Sequence, residues 1–322
     1  RILIGMDLNH IAVLLTMTNS VFTLGSTLLL GALHVSPIWF AVSGAAGALA
    51  GNTLALAIAL RRSGVPLRTA LRRPEMAYRD QPLLAGSLWI FVASVGLPLG
   101  LQSHRIILSH VSSPAELSRY ALMAQVYAIA WMVFSTAGMA LWPVFVKRRS
   151  DSRATLSLLL RAVAVFGALA AIGGIVISVF GPWATSLLSG DELVASRGLA
   201  IAFSVLLFVQ CLHLPAGVML TTPREARFQS YCIMAMGILG VTLGIWWGRD
   251  YGGVGVVLAA TLAVAIAQLI PDIIWIPGLL KKRRDVDWHS LDVIDDRVAA
   301  STPAPAPDPA VPPRPGRHRR EP

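Results

Sequence analysis

Residues 155–180 read TLSLLLRAVAVFGALAAIGGIVISVF. The run is apolar almost throughout, and a bilayer core takes about 20 helical residues to cross. In lipid its backbone must satisfy its own hydrogen bonds, so it has to be a helix. Further runs of the same character lie at 11–31, 37–60, 83–108, 120–146, 197–220, 228–247 and 252–277. The whole chain matches them. Of 322 residues, 55% are apolar and 14% charged, and the mean hydropathy is +0.65. Soluble chains carry about 25% charged residues. The composition excludes a soluble enzyme, a collagen, a disulfide scaffold and a disordered chain. It predicts an all-α integral membrane protein with about eight transmembrane helices.

The charges between the runs set the orientation. Basic residues number 27 against 17 acidic ones, and all but Lys147, Lys281 and Lys282 are Arg. Residues 61–82 form a basic loop with Arg61, Arg62, Arg68, Arg72, Arg73 and Arg79. Lys147, Arg148, Arg149 and Arg153 follow the fourth run, Arg224 and Arg227 the sixth, and Lys281, Lys282, Arg283 and Arg284 the eighth. The alternate loops at 32–36, 109–118 and 181–196 hold no Lys or Arg, and 248–251 holds only Arg249. Positive charge stays on the cytoplasmic side, beside anionic lipid. Both ends of the chain are therefore expected in the cytoplasm. The same placement assigns the basic excess to membrane lipids and argues against nucleic acid.

Residues 285–322 end in STPAPAPDPAVPPRPGRHRREP, a Pro-rich stretch without apolar periodicity. It is expected to be a disordered cytoplasmic tail. The first residue is Arg rather than Met, and the chain is expected to begin partway through a longer protein. Cys211 and Cys232 lie within apolar runs and read as small core residues, with no metal-binding spacing. Ser43, Gly47 and Gly51 in the second run, and Gly240 and Gly244 in the seventh, are spaced to share a helix face. Small residues let helix backbones approach closely in lipid. Prolines at 98, 143, 215 and 271 interrupt or end runs, as in kinked transporter helices.

Polar side chains at membrane depth are costly and mark candidate sites. Gln102, Ser103, His104 and Arg105 follow Pro98. Arg105 either snorkels to the outer interface or faces a wet cavity, where its planar fork would suit a phosphate. His104 reads as a satisfied partner or as a group that changes charge. Gln210 and His213 flank Cys211 near Pro215 and read as helix-to-helix hydrogen bonds or as cavity lining. Asn19, Asn52 and Gln125 are weaker candidates, and Arg119 and Arg197 read as interface anchors. Asp272 follows Pro271. It is expected to pair with Lys281 or Arg283, to reach water, or to carry a coupling ion.

Enzyme motifs are missing: there is no H-E-x-x-H, G-x-S-x-G or Walker loop. Glu116, Asp191 and Glu192 are the acids of the outer loops, and no two are set for acid–base or metal work. The chain is expected not to be an enzyme and to need no cofactor or metal.

The segment 97–149 reads LPLGLQSHRIILSHVSSPAELSRYALMAQVYAIAWMVFSTAGMALWPVFVKRR. It resembles the polysaccharide-export, O-antigen flippase-like branch of the multidrug/oligosaccharidyl-lipid/polysaccharide (MATE-like) exporter superfamily. The matching residues are Arg105, Ile107, Leu108, Ser109, the Ser113-Pro114-Ala115-Glu116-Leu117 run and Tyr120, then Pro143 before a basic loop. Where that family has an acidic residue before the Arg, this chain has His104. The resemblance implies a complete C-terminal six-helix bundle over 83–284, with residues 1–60 as the last two helices of an N-terminal bundle.

On this resemblance the chain is expected to be a flippase of lipid-linked oligosaccharide for cell-surface polysaccharide, in a bacterial plasma (inner) membrane. The substrate would be a polyprenyl diphosphate type of lipid-linked saccharide, moved by alternating access. Arg105 would meet the phosphate, with Gln102, His104, Gln210 and His213 lining the cavity. Two alternatives stand beside it. One is a MATE-like drug or metabolite/cation antiporter, using Asp272 for the ion. The other is a non-transporting scaffold that recruits cell-wall or polysaccharide-assembly proteins through its tail.

Overall fold

A computed structural model of the chain describes residues 9–36, 39–63, 83–148, 151–220 and 223–283. The basic loop beyond Ser63 and the Pro-rich tail lie outside the described residues. Among the described residues there is no strand. Six helices are long and apolar enough to cross a membrane: Val42–Arg62, Phe91–Val111, Pro114–Lys147, Ser152–Ser189, Arg197–Met219 and Glu225–Lys281. The chain is all-α, with the helices that a multi-pass membrane protein requires. It forms two compact units, parting between Gln81 and Pro82.

The first unit pairs α1 (Asn9–Ala32) with α2 (Phe40–Ser63). Ser43, Gly47 and Gly51 are all buried, as their shared face anticipates. The hydroxyls of Thr27 and Ser43 lie 3.0 Å apart across the pair. Each also donates along its own helix, a pairing that leaves no hydroxyl bare in an apolar setting.

The second unit runs α3 (Leu83–Leu101), α4 (His104–Val111), α5 (Pro114–Lys147), α6 (Ser152–Ser189), α7 (Arg197–Met219), α8 (Pro223–Val264) and α9 (Ile270–Arg283). Local sequence fixes the helix starts. Ser113, Asp151 and Ser196 accept the first free amides of α5, α6 and α7, and Pro114 needs no partner at its missing N–H. Gly190 ends α6 at φ 64°, the left-handed conformation that glycine adopts without strain.

α6 shows how the helices divide their faces. Leu159, Phe166, Ala170, Gly174 and Ile177 recur at helical spacing and are buried. Leu160, Ile172, Ile175, Val179, Trp183 and Leu187 on the other side are exposed. A surface this apolar is what lipid solvates. With no water to expel between helices, close contact has to come from small residues. Gly174 faces Ser204 of α7, whose hydroxyl lies 2.8 Å from the Gly174 carbonyl. α3 meets α8 in the same way. A β-carbon on Gly237 would sit 2.9 Å from the Gly96 carbonyl oxygen, and one on Gly240 would sit 3.4 Å from that of Gly100. The core of the unit packs Tyr120 and Met123 of α5, Phe166 of α6, Phe203 and Leu207 of α7, and Val256 and Ala260 of α8.

Four sequence expectations need correction. The third run is not one helix: it breaks at Gln102–Ser103, whose amides both turn back to the Pro98 carbonyl at 2.8 and 3.1 Å. The amide that proline lacks would have met the Ser94 carbonyl one turn earlier, and the wider turn is made by the Pro98 carbonyl, which takes two amides. The fourth run begins at Pro114 rather than near 120, because Ser113 and Pro114 form its start. Residues 181–189, read as outer loop, complete α6, which at 38 residues is about 57 Å long. The loop expected at 248–251 is helical, and the reversal falls on Gly252 alone, at φ 57° and ψ −136°. Only glycine reaches that region cheaply. The two arms of α8 fold back on each other, with Gly240 beside Ala263 and Gly248 beside Val256. A β-carbon on Gly255 would lie 2.1 Å from the Trp247 carbonyl oxygen, so the turn needs glycine there as well.

Gly237→Ala is expected to destabilise the protein by about 1–3 kcal/mol, since the new methyl meets backbone that cannot rotate away. Gly44→Ala has open space at its β-carbon and is expected to be neutral or stabilising by up to about 1 kcal/mol. Thermal unfolding in detergent checks the pair, and equal midpoints for the two variants would contradict the close α3–α8 contact.

Candidate functional site

The break after Pro98 sends neighbouring residues in opposite directions. His104 opens α4 on its inner face and is 2% exposed. Its Nε2 lies 3.1 Å from the Gly100 carbonyl oxygen and its Nδ1 2.9 Å from the Tyr120 hydroxyl. The carbonyl can only accept, so Nε2 carries the hydrogen and Nδ1 accepts from Tyr120. Both ring nitrogens are used, and His104 ties α4 to α3 and α5. The ring has no nitrogen left for a ligand.

Gln102 and Arg105 lie on the opposite side and are exposed, as is Ser109. Arg105 and Ser109, four apart in α4, share one strip of its surface, and Gln102 lies in the turn before it. Among the described residues Arg105 makes no ion pair. It lies six residues before the end of α4, about 9 Å along the axis and within the apolar segment Phe91–Val111. Its carboxylate neighbour in sequence is engaged elsewhere. Glu116 accepts the Gly253 amide at 3.2 Å and pairs with Arg119 at 3.8 Å. It thereby clamps the Gly252 reversal to the start of α5. Glu116 closes the Ser-x-x-Glu capping sequence that Ser113 opens, yet its side chain reaches across to another helix. Asp191 accepts from Ser186 at 2.6 Å and fastens the end of α6.

The remaining polar candidates lie in the interior of the unit. Gln210 of α7 is buried, and its Oε1 accepts from the Tyr127 hydroxyl of α5. Cys211 beside it is fully buried. His213 Nδ1 lies 2.8 Å from Asp272 Oδ2. Asp272 thus finds its partner in α7 rather than in the exposed Lys281, while the side chain of Arg283 lies outside the described residues. The reason is the turn before it. Residues Ala265–Leu269 form a π turn, in which the Ile270 amide bonds back to the Ala265 carbonyl. The turn makes room for the Pro271 ring and adds a residue to the helical register, so that Asp272 comes to face α7. Gln268, within the π turn, is also buried. Asn52, Gln125, Arg119 and Arg197 are exposed, and the side chain of Asn19 lies outside the described residues.

The sequence reading missed Tyr120, Tyr127, Gln229 and Gln268. Gln229 donates to the Gly217 carbonyl at 3.2 Å, one turn from His213. Each is a polar group in an apolar run, which is the signal that could have found it. Among the described residues no group of three or more metal-ligating side chains comes together. No family model matches the chain, and no curated protein or solved structure shows significant similarity to it.

Tyr120→Phe removes the hydroxyl that faces His104 and leaves a buried ring nitrogen unsatisfied. It is expected to cost about 1–3 kcal/mol of stability. Gln102→Ala, in the exposed turn before α4, is expected to stay within about 0.5 kcal/mol of the parent. Equal losses in thermal unfolding would contradict the inward placing of His104.

Proposed function

We propose that the chain is a membrane transporter of the flippase type, moving a lipid-linked saccharide by alternating access for cell-surface polysaccharide synthesis. The observation that carries this reading is Arg105. It is a guanidinium within an apolar segment, on the face turned away from its own core and without an ion pair among the described residues. An unpaired cation at that depth is costly unless it meets water or an anion. A diphosphate offers that anion, and the planar fork of Arg binds it through two bonds at once. Ser109 on the same strip, and Gln102 in the turn before α4, offer hydrogen bonds to sugar hydroxyls. The resemblance of residues 97–149 to the polysaccharide-export branch supports the same substrate class. On this reading the chain crosses the lipid eight times, with α8 supplying two crossings through its reversal at Gly252, and both ends lie in the cytoplasm of a bacterial cell.

The second reading is a cation-coupled antiporter of drugs or metabolites. The buried Asp272 favours it, since such a carrier needs an acid at membrane depth. Substrate accumulation separates the two. A stalled lipid-linked oligosaccharide in a deletion strain supports the flippase, and drug sensitivity without it supports the antiporter.

Arg105→Ala is expected to reduce lipid-linked saccharide export by about 10-fold to 100-fold, the worth of a charged hydrogen bond of about 1.5–3 kcal/mol. Arg105→Lys should recover part of it. Normal export by the inserted Arg105→Ala protein would remove Arg105 from the mechanism.

A further inference from the structure

The polar groups of the second unit are mostly accounted for by helix-to-helix ties. The His213–Asp272 pair is different. It joins two residues 59 apart in sequence, and either can gain or lose a proton. Its two side chains are 15% and 5% exposed, so the access that remains reaches the imidazole and not the carboxylate. Nδ1 is occupied by Asp272. Nε2 points towards Gly217, where a β-carbon would lie 3.3 Å from it and 3.1 Å from Gln229 Nε2. Gly217 places no side chain over that nitrogen, and the Gln229 amide flanks the same spot. Of the other charged groups on the packed elements, Glu225 is buried at the start of α8, while Arg153 and Arg161 of α6, Arg227 of α8 and Lys281 of α9 are exposed.

We propose that the His213–Asp272 pair is a proton-binding site that takes up one proton at His213 Nε2 and releases it again. Without that proton the imidazole is neutral, its Nδ1–H donates to the Asp272 carboxylate, and the pair carries one negative charge. The proton bonds to the Nε2 lone pair, the ring becomes imidazolium, and the pair becomes neutral overall. In an apolar interior a change of one unit of charge is felt strongly by the surrounding helices. Both helices that carry the pair are weakened beside it. Pro215 follows His213 in α7, and the π turn with Pro271 precedes Asp272. Proton uptake thus acts beside an interruption of the regular ladder in each helix. The proton site stands on this geometry alone. That its turnover drives the cargo rests on the transport reading above.

The test uses the full chain in proteoliposomes adsorbed to a solid-supported membrane. A step from neutral to mildly acidic pH is applied with no other substrate. The parent protein is expected to give a transient displacement current, because a proton enters the membrane dielectric. His213→Gln keeps a hydrogen-bond donor for Asp272 but cannot take a second proton, and Asp272→Asn removes the carboxylate with little change of shape. Both are expected to fall to the level of empty liposomes. His213→Gln should also keep a thermal midpoint close to the parent's, which a merely structural tie would equally allow. The current separates the two roles. A parent-sized transient in folded His213→Gln overturns the proposal, as does a parent protein that displaces no charge. A chain that displaces charge but exports no lipid-linked saccharide leaves the proton site standing and removes the flippase reading.

Discussion

A peptide carbonyl in lipid has no water to turn to. Each such group left without a hydrogen bond costs several kcal/mol, which is a sizeable part of a protein's whole stability. That constraint makes every apolar run of this chain a helix. It also sets how the helices meet. Since lipid is as apolar as leucine, nothing drives the helices together except contact at short range and hydrogen bonds between them. Gly96, Gly100, Gly237 and Gly240 bring α3 and α8 to backbone distance, and Gly174 does so for α6 and α7. The hydroxyls of Ser204 and Thr27 find partners within a helix or across to the next one.

The same constraint makes each departure from regular helix informative. After Pro98 its carbonyl takes two amides in a wide turn, and α4 restarts with His104 facing inward and Arg105 outward. At Pro271 the replacement is a π turn that brings Asp272 round to His213. At Gly252 the chain reverses in one residue, and Glu116 accepts the next amide from another helix. Each of the three breaks lies beside a charged or titratable side chain. Chemistry in this fold is concentrated where the helical ladder is interrupted.

The helices were legible because length, apolar content and loop charge are local properties. The start of α7 at Ser196 lies where its run was expected, whereas that of α5 was set too late, near 120, although Ser113 and Pro114 carry the capping chemistry for it. The helical end of α6 was hidden because Pro182 and the polar residues after it read as loop, although proline costs little where neighbouring groups cover the freed carbonyl. The reversal between the last two runs was legible, and only its confinement to Gly252 was not, because a helical pattern continues on both sides of it. Partners were the least legible part. Tyr127 and Gln210 are 83 residues apart, and nothing in either run names the other. Asp272 has basic residues close by in sequence, and periodicity without the π turn points it the wrong way. His104 and Arg105 could not be separated until the turn before them was known.

The central claim is that the chain threads lipid repeatedly, with successive turns on alternate sides. Sidedness mapping with paired reporter fusions tests it most directly, using one enzyme active only in the cytoplasm and one active only outside. Fusions after Arg72 and Arg148 should report the cytoplasm, and fusions after Ser113, Asp191 and Asp250 the outside. Arg72 and Ser113 emerging on the same side would contradict the threading, and with it the placement of Arg105 and of the His213–Asp272 pair within the membrane.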